Sequence, residues 1–267
     1  MKKIILLLIT CITAINISAG QIDTIEIASA SMNSKIKNIV ILPADYESKT
    51  NLPVLYLLHG YGGNHKSWLQ IKPELPRLAT LYGIIIVCPD GKNSWYWDSP
   101  VKKEMKYETY VSKELTRFID NNYKTKKDKS GRAVTGYSMG GHGGLWLGIR
   151  NQDIFGACGS TSGGVDIRPF PENWEMKNAL GNYPENKERW NNHTVITQLN
   201  LIKPGLSIII DCGTEDFFYE VNENLHRELI NRKIKHDYIS MPGAHNARYW
   251  SSSIEHQILF FSNFFYK

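Results

Sequence analysis

The stretch VTGYSMGGHGG, from Val134 to Gly144, holds five glycines in eleven residues, and LWLGIR continues it with the spacing of a helix. A glycine inside a helix costs about 1 kcal/mol relative to alanine. Gly140, Gly141, Gly143, Gly144 and Gly148 together cost roughly 4–5 kcal/mol on that scale, a large share of a typical stability of about 5–15 kcal/mol. A chain bears this where the absent side chains are needed, in a tight turn or where a helix presses against neighbouring backbone. The preceding run, RAVTGYS, reads as a buried strand. The stretch therefore predicts a strand, a sharp turn and a helix seated close on a sheet.

The rest of the chain repeats that arrangement. DTIEIASASM and KIKNIVILP alternate with a period of two and break near Asn33–Ser34, which predicts two antiparallel strands. LPVLYLLHG (Leu52–Gly60), IIIVCPDG (Ile84–Gly91) and LSIIIDCG (Leu206–Gly213) are continuous apolar runs, as in strands buried on both faces. IFGACGSTSGG reads as a short strand and loop, and KHDYISMPG as the last strand. Helical spacing appears in PELPRLATLYG, Tyr107–Tyr123, YEVNENLHRELINRKI and WSSSIEHQILFFSNFF. The alternation predicts an α/β fold, a mostly parallel central sheet with helices on both faces. No linker divides residues 20–267, so a single domain is expected, with the polar, Trp-rich segment 163–200 as a small lid or insertion.

The first nineteen residues have two lysines, an apolar run and then small residues, the layout of a secretory signal peptide. The expected product is exported, periplasmic or extracellular, with no membrane anchor after cleavage; a lipidated Cys11 is the alternative. Removing residues 1–19 takes away Lys2, Lys3 and no acid, lowering the formal charge from +5 to +3. That charge, without a basic stripe interleaved with aromatics, argues against a nucleic-acid partner. Cys88, Cys158 and Cys212 sit in or beside apolar runs and read as buried thiols rather than a disulfide framework. No metal-ligand spacing appears, and no metal or cofactor is expected.

Ser138 follows a strand and precedes a helix, at the carboxyl end of the sheet where open α/β folds bind ligands. GYSMG fits a nucleophile elbow, a strained turn that exposes a serine. Serine needs a base to take its proton. In the chain order serine, acid, histidine, the candidates are His142, His193, His226, His236, His245 and His256. His245, in MPGAHNARYW, lies in the loop after the last strand and is the expected base. IIIDCGTEDFFYE offers Asp211, Glu215 and Asp216 as the acid that orients it. Asp211 reads as part of the strand, while Asp216 follows a glycine-containing turn that projects it clear. The oxyanion hole needs backbone N–H groups from Met139 and from LLHGYGGN, with Tyr61 first and Gly62 next. His59 reads as a brace for that loop.

These motifs, LYLLHGYGGNHKSW, DGKNSWYWDSP, GYSMGGHGG, DCGTEDFFYE and PGAHNARYW, resemble the esterase family of the α/β-hydrolase superfamily over nearly all the chain after residue 19. The family includes tributyrin-type esterases, S-formylglutathione hydrolases, mycolyltransferases, and the feruloyl and acetylxylan esterases of carbohydrate esterase family one. The resemblance implies the α/β-hydrolase fold and a serine carboxylesterase with Ser138, Asp216 and His245 as triad. Trp95 and Trp97, at another carboxyl end, are expected to bind substrate or to pack their loop. With export, the reading is an esterase that removes feruloyl or acetyl groups from plant-type polysaccharide fragments, its partner an acylated oligosaccharide or small ester. A mycolyl-type acyltransferase, a general short-chain esterase and an inactive glycan-binding protein are the alternatives.

Overall fold

The computed structural model describes residues 20–267; the expected export signal over residues 1–19, and Cys11 with it, lies outside the described residues. The described residues form one sheet of eight strands: β1 (Gln21–Ser29), β2 (Ser34–Leu42), β3 (Val54–Leu58), β4 (Ile85–Pro89), β5 (Arg132–Gly136), β6 (Ala157–Thr161), β7 (Ser207–Gly213) and β8 (Asp237–Met241). Their spatial order is β1-β2-β4-β3-β5-β6-β7-β8. β1 pairs antiparallel with β2, in register Gln21 to Leu42, and β2 antiparallel with β4. The other pairs are parallel. This is the expected mostly parallel sheet, with the period-two hairpin at its edge.

The helices, in chain order, are α1 (Ser67–Ile71), α2 (Leu75–Tyr82), α3 (Tyr107–Thr109), α4 (Thr116–Asn122), α5 (Met139–Arg150), α6 (Met176–Leu180), α7 (Lys187–Asn192), α8 (Tyr219–Asn231) and α9 (Ala247–Phe265). A π-helical turn, Tyr110–Leu115, joins α3 to α4, so the helical spacing over Tyr107–Tyr123 is realised almost throughout. The apolar runs conceal an alternation. Val54, Tyr56 and Leu58 of β3 join Ile119, Leu147 and Leu225 in one core, whereas Leu55 and Leu57 join Trp68, Leu78, Ile258 and Phe261 in a second core on the opposite face. Burying a leucine or isoleucine stabilises by about 1.5–3 kcal/mol, so β3, loaded on both faces, gains from an aliphatic or aromatic residue at every position. The three thiols, Cys88, Cys158 and Cys212, are free and buried.

The glycine-dense helix is explained by the same packing. A Cβ on Gly144 would stand 2.3 Å from the Gly159 carbonyl oxygen, and one on Gly148 would stand 2.2 Å from Cys158 Cβ. Helix α5 therefore lies directly on β6, closer than any side chain allows. After β3 the chain crosses to β4 on one side, then returns to β5 on the other. The loops leaving β3 and β5 part at this switch point and open the crevice in which such sheets bind ligands. Residues 163–200 join β6 to β7 through α6, α7 and short turns, and they bury Met176, Leu180, Trp190 and Val195 in the first core.

Candidate active site

Ser138 sits between β5 and α5 with φ 58° and ψ −119°. A residue carrying a Cβ pays about 1–3 kcal/mol to stay in such a region and does so only where its surroundings hold it. Here the Ser138 N–H donates to the Thr161 carbonyl at 2.9 Å. The flanking glycines are a steric requirement: a Cβ on Gly136 would lie 2.4 Å, and one on Gly140 2.3 Å, from the Leu58 carbonyl oxygen. The turn is thereby clamped against the end of β3.

The Ser138 hydroxyl lies 2.9 Å from His245 Nε2, and His245 Nδ1 lies 3.0 and 2.9 Å from the two Asp216 carboxylate oxygens. With Nδ1–H donating to the carboxylate, Nε2 is left to accept the serine proton. The Asp216 side chain is fully buried and also accepts from the Phe218 N–H at 2.8 Å. Trp250 stands edge-on to the His245 ring, with centroids 5.1 Å apart, and stacks in turn on Tyr137 beside Ser138. The structure thus separates the three acids. Asp216 meets His245; Glu215 is exposed; Asp211 is buried and accepts from Ser253, Gln257 and Thr161.

The other candidate histidines lie elsewhere. His226 and His236 bond to each other at 2.7 Å, His193 Nδ1 donates to the Arg189 carbonyl, and His256 lies along α9. His59 Nδ1 donates to the Gly60 carbonyl at 2.7 Å and Nε2 accepts from the Gly91 N–H at 2.8 Å, so it ties the loop after β3 to the loop after β4. That loop meets the elbow, since a Cβ on Gly60 would lie 3.2 Å from Ser138 Cβ. The Gly62 N–H is taken by Asn93 Oδ1. The N–H groups of Tyr61 and Met139 have no protein acceptor among the described residues, and Met139 opens α5, at the positive end of its dipole. Together these groups can present a nucleophilic oxygen, a base and two donors to a carbonyl. No three His, Cys, Asp or Glu residues among those described are grouped to hold a metal ion.

A family model described as "Putative esterase" matches residues 29–261. The chain belongs to this esterase family. It is 27% identical over 239 residues to an acetyl esterase of Caldicellulosiruptor saccharolyticus, a match covering 81% of this chain and 88% of that protein. A solved ferulic acid esterase superposes with a TM-score of 0.79 at 25% identity, over 93% of this chain and 100% of its own. The substrate-bound fluorophosphonate-binding serine hydrolase F of Staphylococcus aureus shares the fold, with a TM-score of 0.83 at 20% identity over 92% and 100% of the two chains. The fold is that of the α/β-hydrolases, and the chain is a serine carboxylic-ester hydrolase.

One expectation needs correction. Trp95 and Trp97 do not face a substrate in this esterase: they are 1% and 0% exposed. They stack on each other at 5.6 Å, and the Trp97 Nε1–H donates to His142 Nε2 at 2.9 Å. Their rings pack the loop after β4 onto α5. The aromatic surface at the site comes instead from Phe217, 52% exposed and 4.2 Å from the His245 ring centroid, and from Trp174, which stacks on Phe217. Beside Trp174, Glu175 accepts a 2.9 Å hydrogen bond from the Tyr61 hydroxyl. A cavity of about 390 Å³ with a mixed lining opens beyond the Tyr61 loop, formed by Gly62, Asn93, Lys102, Met105, Glu175 and Asn178. Phe217 lay in the quoted acid motif, but nothing local to DFFYE distinguishes it from the buried Phe218.

His142 yields a pH prediction. Burial pulls its imidazole down to about 3, so Nδ1–H donates to the Gly164 carbonyl and Nε2 stays free to accept from Trp97. The unfolded chain takes up this proton below about pH 6.5, and the folded chain does so only near pH 3. This contribution to stability is complete above pH 6.5 and falls by about 1.4 kcal/mol per pH unit below it. Urea midpoints should therefore drop from pH 6.5 to pH 4, and less steeply in His142→Gln. Parallel slopes would rule out His142 as the source.

Proposed function

We propose that this chain is an exported serine esterase that removes acetyl or feruloyl groups from plant-type polysaccharide fragments. The continuous hydrogen-bonded line from Ser138 through His245 to Asp216 carries the reading. Ser138 Oγ attacks the ester carbonyl as its proton passes to His245 Nε2, and the Tyr61 and Met139 N–H groups hold the resulting oxyanion. The intermediate collapses with loss of the alcohol, which takes that proton from His245, leaving an acyl-Ser138. Water, deprotonated by His245, then releases the acid and restores the serine. Asp216 stabilises the imidazolium at each stage. The similarity to an acetyl esterase and to a ferulic acid esterase supports these acyl groups. The layout of residues 1–19 supports export.

A panel of acetylated xylo-oligosaccharide, methyl ferulate and p-nitrophenyl butyrate tests the substrate. The first or second is expected to give the highest kcat/KM. Preference for the butyrate would replace this reading with a general short-chain esterase. Acyl-sugar exceeding free acid when trehalose is added would replace it with an acyltransferase. Export is tested by the N-terminus of protein recovered outside the cytoplasm, expected at residue 20 or 21; recovery only inside, with Met1 retained, would refute it.

A further inference from the structure

We infer that the exposed face of Phe217, backed by Trp174, is the platform on which the alcohol half of the ester lies, and that the occupant is a sugar ring. The inference rests on the catalytic roles proposed for Ser138 and His245, and it adds which half of the substrate lies where.

The sidedness follows from the sheet order. His245 hands its proton to the departing oxygen, so the alcohol leaves from the histidine side of Ser138. His245 follows β8, and Phe217 follows β7. The Tyr61 loop follows β3 and the Asn93 loop follows β4, on the opposite side of β5, and around the cavity they meet Glu175 and Asn178 of the β6–β7 connection. A group bonded to an oxygen within hydrogen-bond reach of Nε2 must pass beside the ring nearest the imidazole. That ring is Phe217, its centroid 4.2 Å from that of His245 at an interplanar angle of 40°.

The surface is held in place. Trp174 stacks on Phe217 at 5.8 Å and 21°, and also packs on Phe218, Phe170 and Trp95. Trp174 and Glu175 have φ of 49° and 52°, two successive non-glycine residues in the left-handed region. Such backbone persists only where contacts determine it; here the Trp174 ring is wedged among aromatics and Glu175 is tied to Tyr61. Phe217 is nevertheless half exposed, an apolar face left open beside the base. A pyranose has a face of C–H groups whose positive edges complement the negative face of an aromatic ring. Its hydroxyls remain in water, as an open platform permits and an enclosed pocket would not.

The experiment compares acetate release from a methyl O-acetyl-xyloside and from ethyl acetate, which share an acyl group and differ in the alcohol. In Phe217→Ala the ratio of kcat/KM, xyloside over ethyl acetate, should fall about five- to ten-fold, mainly through KM for the xyloside. Phe217→Trp should restore it, and Trp174→Ala should lower it in the same sense. An equal loss on both esters, with slower labelling by an alkyl fluorophosphonate, would make Phe217 a support for His245 and overturn the platform. So would an unchanged ratio, or a larger fall in Asn178→Ala, which would put the sugar in the cavity beyond the Tyr61 loop. Wild-type protein that cleaves neither ester, nor methyl ferulate or p-nitrophenyl butyrate, would overturn the esterase reading of the site. Wild-type protein that cleaves both equally well would overturn the platform alone.

Discussion

Ser138→Ala should lower kcat on any ester by about 10⁴- to 10⁶-fold and abolish labelling by a fluorophosphonate probe. The magnitude follows from the roles. Alanine leaves the Tyr61 and Met139 N–H groups and the substrate platform intact, so binding and some polarisation of the carbonyl survive, but no oxygen remains to form the acyl-enzyme. Alanine also keeps a Cβ at φ 58°, so the strain of the elbow is retained and the fold should be preserved. The loss should therefore appear in kcat, with thermal unfolding close to that of the wild type. Residual turnover above a hundredth of wild type, in a protein free of wild-type contamination, would remove Ser138 from the role of nucleophile.

The sequence made the positions of these groups legible because each is fixed by local rules. GYSMG forces an elbow wherever a strand delivers it, since Gly136 and Gly140 leave room against Leu58 that no other residue does. His245 and Asp216 stand one loop beyond β8 and β7, and the ends of these paired parallel strands lie side by side. Trp95 and Trp97 were not legible in the same way. An aromatic loop at a strand end reads alike whether its rings face solvent or fold beneath it. What decides is His142, 45 residues further on, whose Nε2 accepts the Trp97 N–H from within α5. Trp174 and Phe217 are likewise brought together across 43 residues, by a connection whose course depends on burying Trp190 and its neighbours. The hairpin and the buried strands could be read from period and length; which of two adjacent phenylalanines is covered could not.

Asp216→Asn should lower kcat by about 10³- to 10⁴-fold with little change in stability, while Asp211→Asn should do the reverse. At Asp216 both carboxylate oxygens face His245 Nδ1, which holds the imidazole as the Nδ1–H tautomer. An asparagine can turn its NH₂ toward Nδ1 and favour the proton on Nε2, and that nitrogen then cannot accept from Ser138. It also brings no negative charge to the imidazolium. At Asp211 the carboxylate collects hydrogen bonds from Ser253 at 2.6 Å, Gln257 at 2.6 Å and Thr161 at 3.0 Å, with no contact to His245. An amide there has one acceptor oxygen for three donors and adds two donors of its own. Leaving such buried groups unpaired costs about 1–3 kcal/mol each. Chemical denaturation and ester turnover on the two variants separate the roles. Near-normal turnover in a folded Asp216→Asn, beside an Asp211→Asn that is folded but inert, would move the acid from the loop after β7 back into the strand.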